Sequence, residues 1–291
     1  DRLANRAESR IQVDSTRIEK AGYKHFMAKE IAEQPVVIAD ALRRYVQGAG
    51  LTLPDAVDFT GVDRITMVAC GTASYACHVA KYWFEQIAGL PCDIDIASEF
   101  RYREPPLSDK SWALFVSQSG ETADTLAALR YTRDKVAKIV AVVNVPTSSI
   151  ARESDLALPI MAGIEVGVAS TKAFSCQLVT LAVLALKAAV DRGRLDAAGL
   201  AQHIADLAAL PGLMNHALAL SAAATICDEQ GTLLFDIGNT EVVDLGGFEF
   251  EGYLIEAVAI CVCLDHGKNL CAASALFEVF KIVDDCIEID D

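Results

Sequence analysis

Two short apolar segments of this sequence each end in a turn of small polar residues, and a helical pattern follows each turn. The first, Ile65 to Ala69, continues into Cys70-Gly71-Thr72, and the second, Trp112 to Val116, continues into Ser117-Gln118-Ser119-Gly120. Strands that alternate with helices form right-handed βαβ units. The sequence therefore predicts an α/β fold, a doubly wound parallel sheet with helices on both faces. Further strands are predicted at 92–96, 139–144 and 155–160.

Prolines interrupt the two helical patterns that flank this alternating region. Pro35 lies within residues 23–46, and Pro211 lies within residues 196–227. A proline lacks an N–H group, and its ring clashes with the carbonyl group four residues earlier. We therefore predict that each of these helices breaks at its proline.

The charge of the chain limits its partners. The net charge is −15, with 40 acidic against 25 basic residues, so nucleic acids and anionic membrane surfaces are poor partners. The nine cysteines lack regular spacing over most of the chain. We find neither a signal-peptide pattern nor an apolar run of about 20 residues. The sequence thus predicts a cytoplasmic protein with reduced thiols, bound neither to membranes nor to nucleic acid.

The two small-residue turns have the chemistry of an anion site. In a parallel sheet both lie at the carboxyl edge, where ligands bind. Thr72, Ser117, Ser119 and Thr122 offer hydroxyl groups beside helix N-termini, whose free amides and positive dipole end attract phosphate. Ordinary N-capping by one or more of these residues is the alternative, and local chemistry leaves both open. No Gly-Lys-Ser/Thr sequence follows, so we predict no nucleotide, metal or other cofactor.

Four longer motifs resemble those of glutamine–fructose-6-phosphate aminotransferases, the glucosamine-6-phosphate synthase family. They occur in the family's order within about residues 13–230, and they are 25–35, 94–103, 117–125 and 165–174. The resemblance implies an isomerase part built from sugar-isomerase (SIS) folds, which acts as a homodimer. The implied reaction is amination and isomerisation of fructose 6-phosphate to glucosamine 6-phosphate, an amino-sugar precursor. The residues implied to bind the phosphosugar are Gly71, Thr72, Ser117, Gln118, Ser119, Thr122, Val168 and Ser170.

The resemblance also implies a domain organisation. Residues 1–22 are expected to be the linker of an N-terminal glutaminase domain, which would be the ammonia source and is not part of this sequence. Residues 23–228 are expected to form the first SIS domain with its flanking helices. Residues 229–291 are expected to be a truncated or divergent start of a second α/β unit.

The last 61 residues differ in composition from the rest of the chain. Residues 231–291 contain 13 Asp and Glu against two Lys, and four of the nine cysteines. By resemblance, the family's catalytic acid corresponds to Glu249, Glu251 or Glu256. We predict Glu251 as the catalytic residue. His266, in Leu-Asp-His-Gly, matches the family's ring-opening histidine.

Three alternatives remain for this segment and for the function. Cys261 and Cys263 with His266 could suggest a metal, but a second ligand pair at zinc spacing is absent from the sequence, so we predict none. A reading-frame error after about residue 230 would also explain the loss of basic residues. A phosphosugar-binding module without catalytic activity is the alternative to an enzyme.

Overall fold

The computed structural model describes residues 19–167 and 169–224, which form an alternating series of helices and strands. The helices are α1 Phe26–Tyr45, α2 Thr72–Gln86, α3 Ala97–Arg103, α4 Ala123–Thr132, α5 Ser149–Glu153, α6 Lys172–Asp191 and α7 Ala197–Ala224. The strands are β1 Val46–Gln47, β2 Gly50–Leu51, β3 Ile65–Ala69, β4 Cys92–Ile96, β5 Trp112–Ser117, β6 Lys138–Val143 and β7 Leu156–Pro159.

Five of these strands form the parallel sheet that the sequence predicts. Their order is β4-β3-β5-β6-β7, while β1 and β2 form a separate antiparallel pair. From β3 the chain crosses to β4 on one side and then returns to β5 on the other side of β3. The sheet therefore has its switch point between β3 and β5, and ligands of doubly wound sheets bind at the carboxyl ends of such strands.

Each face of the sheet is covered by helices, because the central strands are apolar on both sides. In β5, Leu114 belongs to a core shared with α1, α2, α6 and α7, whereas Phe115 belongs to a core shared with α3, α4 and α5. Both side chains are fully buried. This arrangement confirms the predicted doubly wound fold.

The predicted helix breaks at the two prolines were wrong. α1 runs through Pro35 and α7 runs through Pro211. Side chains on both sides of Pro35 hold α1 in place, because Gln34 accepts a hydrogen bond from Ser175 of α6 and Ile38 is fully buried. Tertiary packing thus outweighs the lost backbone hydrogen bond.

The most apolar helix, α6, is a core helix. Its length and a mean hydropathy of 1.8 would allow it to cross a bilayer, but 89% of that apolar window is buried inside the domain. It packs against α1 and α2 over the sheet. Its composition is therefore accounted for by the core of this fold.

Candidate functional site

A pocket of about 150 Å³ lies at the switch point, between the ends of β3 and β5. Five of the residues predicted to bind phosphosugar line it together, and Gly71 is the residue that precedes α2 beside it. The lining residues are Cys70, Thr72, Ala73, Val116, Ser117, Gln118, Ser119, Thr122, Thr125 and Gln177. The fold thus brings together residues from two separate βα turns.

Two helices begin at this pocket, α2 and α4. Gly71 precedes α2 and has no side chain to cap it, and Thr122 precedes α4 but makes no side-chain capping bond. In α5, by contrast, Ser148 caps its helix by accepting a hydrogen bond from the amide of Ala151. The ordinary-cap alternative therefore does not hold for Thr122. The first amides and the positive dipole ends of α2 and α4 remain suited to an anion.

Hydrogen bonds within the β5–α4 turn orient its hydroxyl groups. Ser117 Oγ lies 3.1 Å from Thr122 Oγ1 and accepts a hydrogen bond from the amide of Gly120. Ser119 Oγ likewise accepts from the amide of Glu121. The contact between Ser117 and Thr122 uses one of their two hydroxyl protons, so the other proton and that of Ser119 can be donated to a ligand. The turn therefore offers hydroxyl donors beside a helix N-terminus.

Both βα turns require glycine at one position. Gly71 has φ 58° and ψ −141°, a conformation that other residues rarely adopt. Gly120 has φ 66°, and a Cβ atom there would lie 2.0 Å from Ser148 Oγ. The backbone of the Ser117–Thr122 turn therefore packs directly on the N-terminus of α5.

The charged residue within this turn, Glu121, is directed at α5. Its carboxylate accepts a hydrogen bond of 2.8 Å from the amide of Ser149. That hydrogen bond lowers the pKa of Glu121, and the charge of Arg152 acts in the same direction. Among the residues that the structure describes, the pocket lining itself carries neither an acidic nor a basic side chain.

The segment before α6 contains the remaining predicted residues. Ser170 Oγ donates to Glu165 Oε2 at 3.2 Å, and the amides of Thr171 and Ala173 donate to Glu165 Oε1. Burial raises the pKa of the Glu165 carboxyl, although the amide hydrogen bonds offset part of the effect. Ser170 lies outside the pocket lining. Val168, Glu251 and His266 lie outside the described residues.

Of the pocket residues absent from the predicted set, two carry a hydroxyl or amide side chain. Thr125 and Gln177 line it, both are buried, and Thr125 Oγ1 and Gln177 Oε1 have no hydrogen-bond partner among the described residues. Thr125 follows Thr122 by three positions, so the helical period could have placed both on one face. Gln177 comes from α6, and only the tertiary structure brings it here.

Comparison with known proteins shows what this fold and pocket resemble. Residues 58–187 match the family model of the SIS domain. That range contains the whole parallel sheet and both βα turns of the pocket. Residues 58–187 are therefore similar to an SIS domain.

The chain is also similar to glutamine–fructose-6-phosphate aminotransferases. It is 54% identical over 220 residues to the enzyme of that name from Bradyrhizobium diazoefficiens, which covers 74% of this chain and 36% of the relative. The corresponding enzyme from Brucella abortus is 53% identical over 216 residues, with 73% and 36% covered. The chain thus spans little more than a third of the length of these curated relatives.

A solved structure supports the same relationship. The C-terminal domain of glucosamine-fructose-6-phosphate aminotransferase from Francisella tularensis superposes with a TM-score of 0.68 at 41% identity. The match covers 71% of this chain and 59% of that one. These similarities confirm the family resemblance that the sequence motifs indicate.

Proposed function

We propose that this chain binds a hexose 6-phosphate, with the phosphate between the N-termini of α2 and α4. The observation that carries the proposal is the convergence of two helix N-termini and several hydroxyl groups on one pocket at the switch point. A phosphate dianion needs several donors and a positive potential, and this arrangement supplies both without a basic side chain.

In this proposal the residues of the two turns have distinct roles. The hydroxyl groups of Thr72, Ser119 and the hydrogen-bonded pair Ser117 and Thr122 hold the phosphate oxygens. Gly71 and Gln118 place backbone and side-chain groups beside the ligand. Val168 and Ser170, by family resemblance, contact the sugar.

The proposed reaction is the one named in the relatives, amination and isomerisation of fructose 6-phosphate. Ammonia adds to C2 of the open-chain ketose and water leaves to give an imine. A proton then moves from C1 to C2 and the C1 hydroxyl proton moves to the nitrogen, which gives glucosamine 6-phosphate. The described pocket lining supplies the anchor and, apart from the Cys70 thiol, no acid or base. We assign proton transfer to Glu251 and ring opening to His266, on the resemblance alone.

The organisation of the molecule follows from the same proposal. Residues 1–22 would link to a glutaminase domain that supplies ammonia, 23–228 form the first SIS domain, and 229–291 begin a second unit. The enzyme would act as a homodimer in the cytoplasm. Hydrogen exchange measured over residues 229–291 tests the last of these domains, because a folded unit protects its amides and an unfolded segment does not.

A phosphosugar-binding module without turnover is the second candidate. The observation that favours it is the absence of any titratable acid or base other than Cys70 from the lining that the structure describes. Such a module would hold the ligand by the same hydroxyl and amide groups.

Calorimetric titration with glucosamine 6-phosphate, together with an ammonia-dependent turnover assay on fructose 6-phosphate, separates the two candidates. Binding with turnover supports the enzyme, and binding without turnover supports the module. A chain that binds no phosphosugar would exclude both.

A further inference from the structure

The segment between β7 and α6 is fixed at both ends beside the pocket. At its start, Asn144 Oδ1 accepts from the amide of Ala162 at 3.0 Å, and Asn144 Nδ2 donates to the carbonyl of Gly163. The amide of Asn144 itself donates to the carbonyl of Gln118, a pocket residue. At its end the segment enters α6, whose Gln177 lines the pocket. We call residues 163–167 and 169–171 the pocket loop.

A buried carboxylate on α1 holds the middle of the pocket loop. Glu30 is 1% exposed, and its Oε1 accepts a hydrogen bond of 2.6 Å from the amide of Val166. The amide of Gly167 donates to both oxygens of Glu30, at 3.2 and 3.1 Å. A Cβ atom at Gly167 would lie 2.5 Å from Glu30 Oε2. Two successive amides therefore close on one carboxylate, and the closeness of this contact requires glycine.

The helix that carries Glu30 is itself tied to the start of α6. Lys172 Nζ, in the first turn of α6, lies 2.6 Å from Glu33 Oε2, and Lys29 Nζ lies 3.4 Å from Glu33 Oε1. Ser175 Oγ donates to Gln34 Oε1 one turn further along. These contacts fix α1 relative to the start of α6. Because Glu30 lies on α1, its hydrogen bonds fix the pocket loop relative to α1.

We propose that Glu30 is a positioning residue of the phosphosugar site. It holds the backbone of Val166 and Gly167, the residues that precede Val168 and Ser170 in sequence. Glu30 is not among the residues that line the pocket, so it acts through the loop. This inference rests on the proposed function, since it concerns how the sugar end of the same ligand is held.

The test compares two ligands in the full 291-residue chain. In Glu30→Gln one oxygen becomes an NH₂ group, which faces donors and cannot accept their hydrogen bonds. We expect calorimetric titration to show about tenfold weaker binding of glucosamine 6-phosphate, the loss of roughly one polar contact. Binding of inorganic phosphate should stay within about twofold, because the turn that holds phosphate is not displaced.

Asp40→Asn is the matched control, a carboxylate-to-amide change on the same helix at a residue that pairs with Arg43. It should leave both affinities unchanged. Equal losses for the two ligands in Glu30→Gln would overturn the inference in favour of general destabilisation, and no loss for either would also overturn it. Failure of the unaltered chain to bind glucosamine 6-phosphate would instead refute the proposed function.

A second variant covers the case in which Glu30→Gln does not fold. Gly167→Ala keeps the buried carboxylate in place and pushes the loop away from it. It should show the same split between the two ligands, and a single cooperative unfolding transition would show that the variant is folded. A Gly167→Ala chain that binds both ligands normally would count against the inference.

Discussion

At the scale of the residue, the pocket depends on hydroxyl groups that lie close enough to share one ligand. Ser117 ends β5 and Thr122 precedes α4, and the tight turn between them brings their oxygens to 3.1 Å. Neither hydroxyl serves as the cap of α4. Their removal should therefore affect a bound anion more than it affects the helix.

We expect Ser117→Ala combined with Thr122→Ala to weaken phosphosugar binding by several kcal/mol. Each lost hydrogen bond to a charged group contributes about 1.5–3 kcal/mol. Calorimetric titration with glucosamine 6-phosphate measures the change. Thr52→Ala, which removes an exposed hydroxyl outside the pocket, is the control. Equal affinity in the double variant and the control would remove the phosphate assignment.

Gly120 should be intolerant of any side chain. Gly120→Ala adds the cost of a positive φ, about 1–2 kcal/mol, to a clash with Ser148. Gly61→Ala is the matched control, because Gly61 has φ 76° and open space around its Cβ position. Urea unfolding should show the larger loss of stability for Gly120→Ala. If the two variants lose equal amounts, the clash with Ser148 is relieved at no cost.

At the scale of the element, the entry to α6 carries a titrating carboxyl group. Burial raises the pKa of Glu165 above its ordinary value of 4.5. The folded protein therefore keeps this proton over a range in which the unfolded chain has lost it. The stabilisation that results is complete below about pH 4.5 and is lost as the pH rises through the folded-state pKa.

Glu165→Gln should remove this pH dependence, because an amide does not titrate. The difference in unfolding free energy between the unaltered chain and the variant should fall as the pH rises from about 4. Glu121→Gln should give the opposite slope, since the amide of Ser149 lowers the pKa of Glu121. Denaturant unfolding over a pH series measures both. A flat difference for Glu165 would mean that its amide hydrogen bonds cancel the effect of burial.

Sequence patterns predicted the elements unevenly. The bounds of β3 and β4 were predicted to the residue, because both are short apolar or alternating runs between clear breakers. The continuity of α1 and α7 through Pro35 and Pro211 was not predictable, since the compensating contacts come from other elements. The short helices α3 and α5 lack the length that makes a helical period visible.

At the scale of the whole molecule, stability comes from two cores on opposite faces of one sheet. Successive residues of β5 contribute to different cores, Leu114 to one and Phe115 to the other. A doubly wound sheet needs both faces covered, because each face is apolar. Damage to either core should therefore destabilise the domain.

We expect Leu114→Ala to cost about 2–5 kcal/mol and Phe115→Ala about 3–5 kcal/mol of unfolding free energy. The control is Ile96→Ala in β4, at a side chain 53% exposed, which should change stability by no more than about 0.5 kcal/mol. Urea denaturation followed by circular dichroism measures all three. A loss at Phe115 as small as that at Ile96 would show that the second core is not required.

The sequence by itself determined the fold class, the strand–turn–helix units and the identity of the small polar residues in the two turns. These follow from local periodicity and from residue chemistry within a few positions. The tertiary structure decided that the turns of β3 and β5 meet at one switch point, that Gln177 joins them, and that Glu30 holds the pocket loop. Glu30 and Val166 are 136 residues apart along the chain, and only the packing of α1 on α6 brings them into contact.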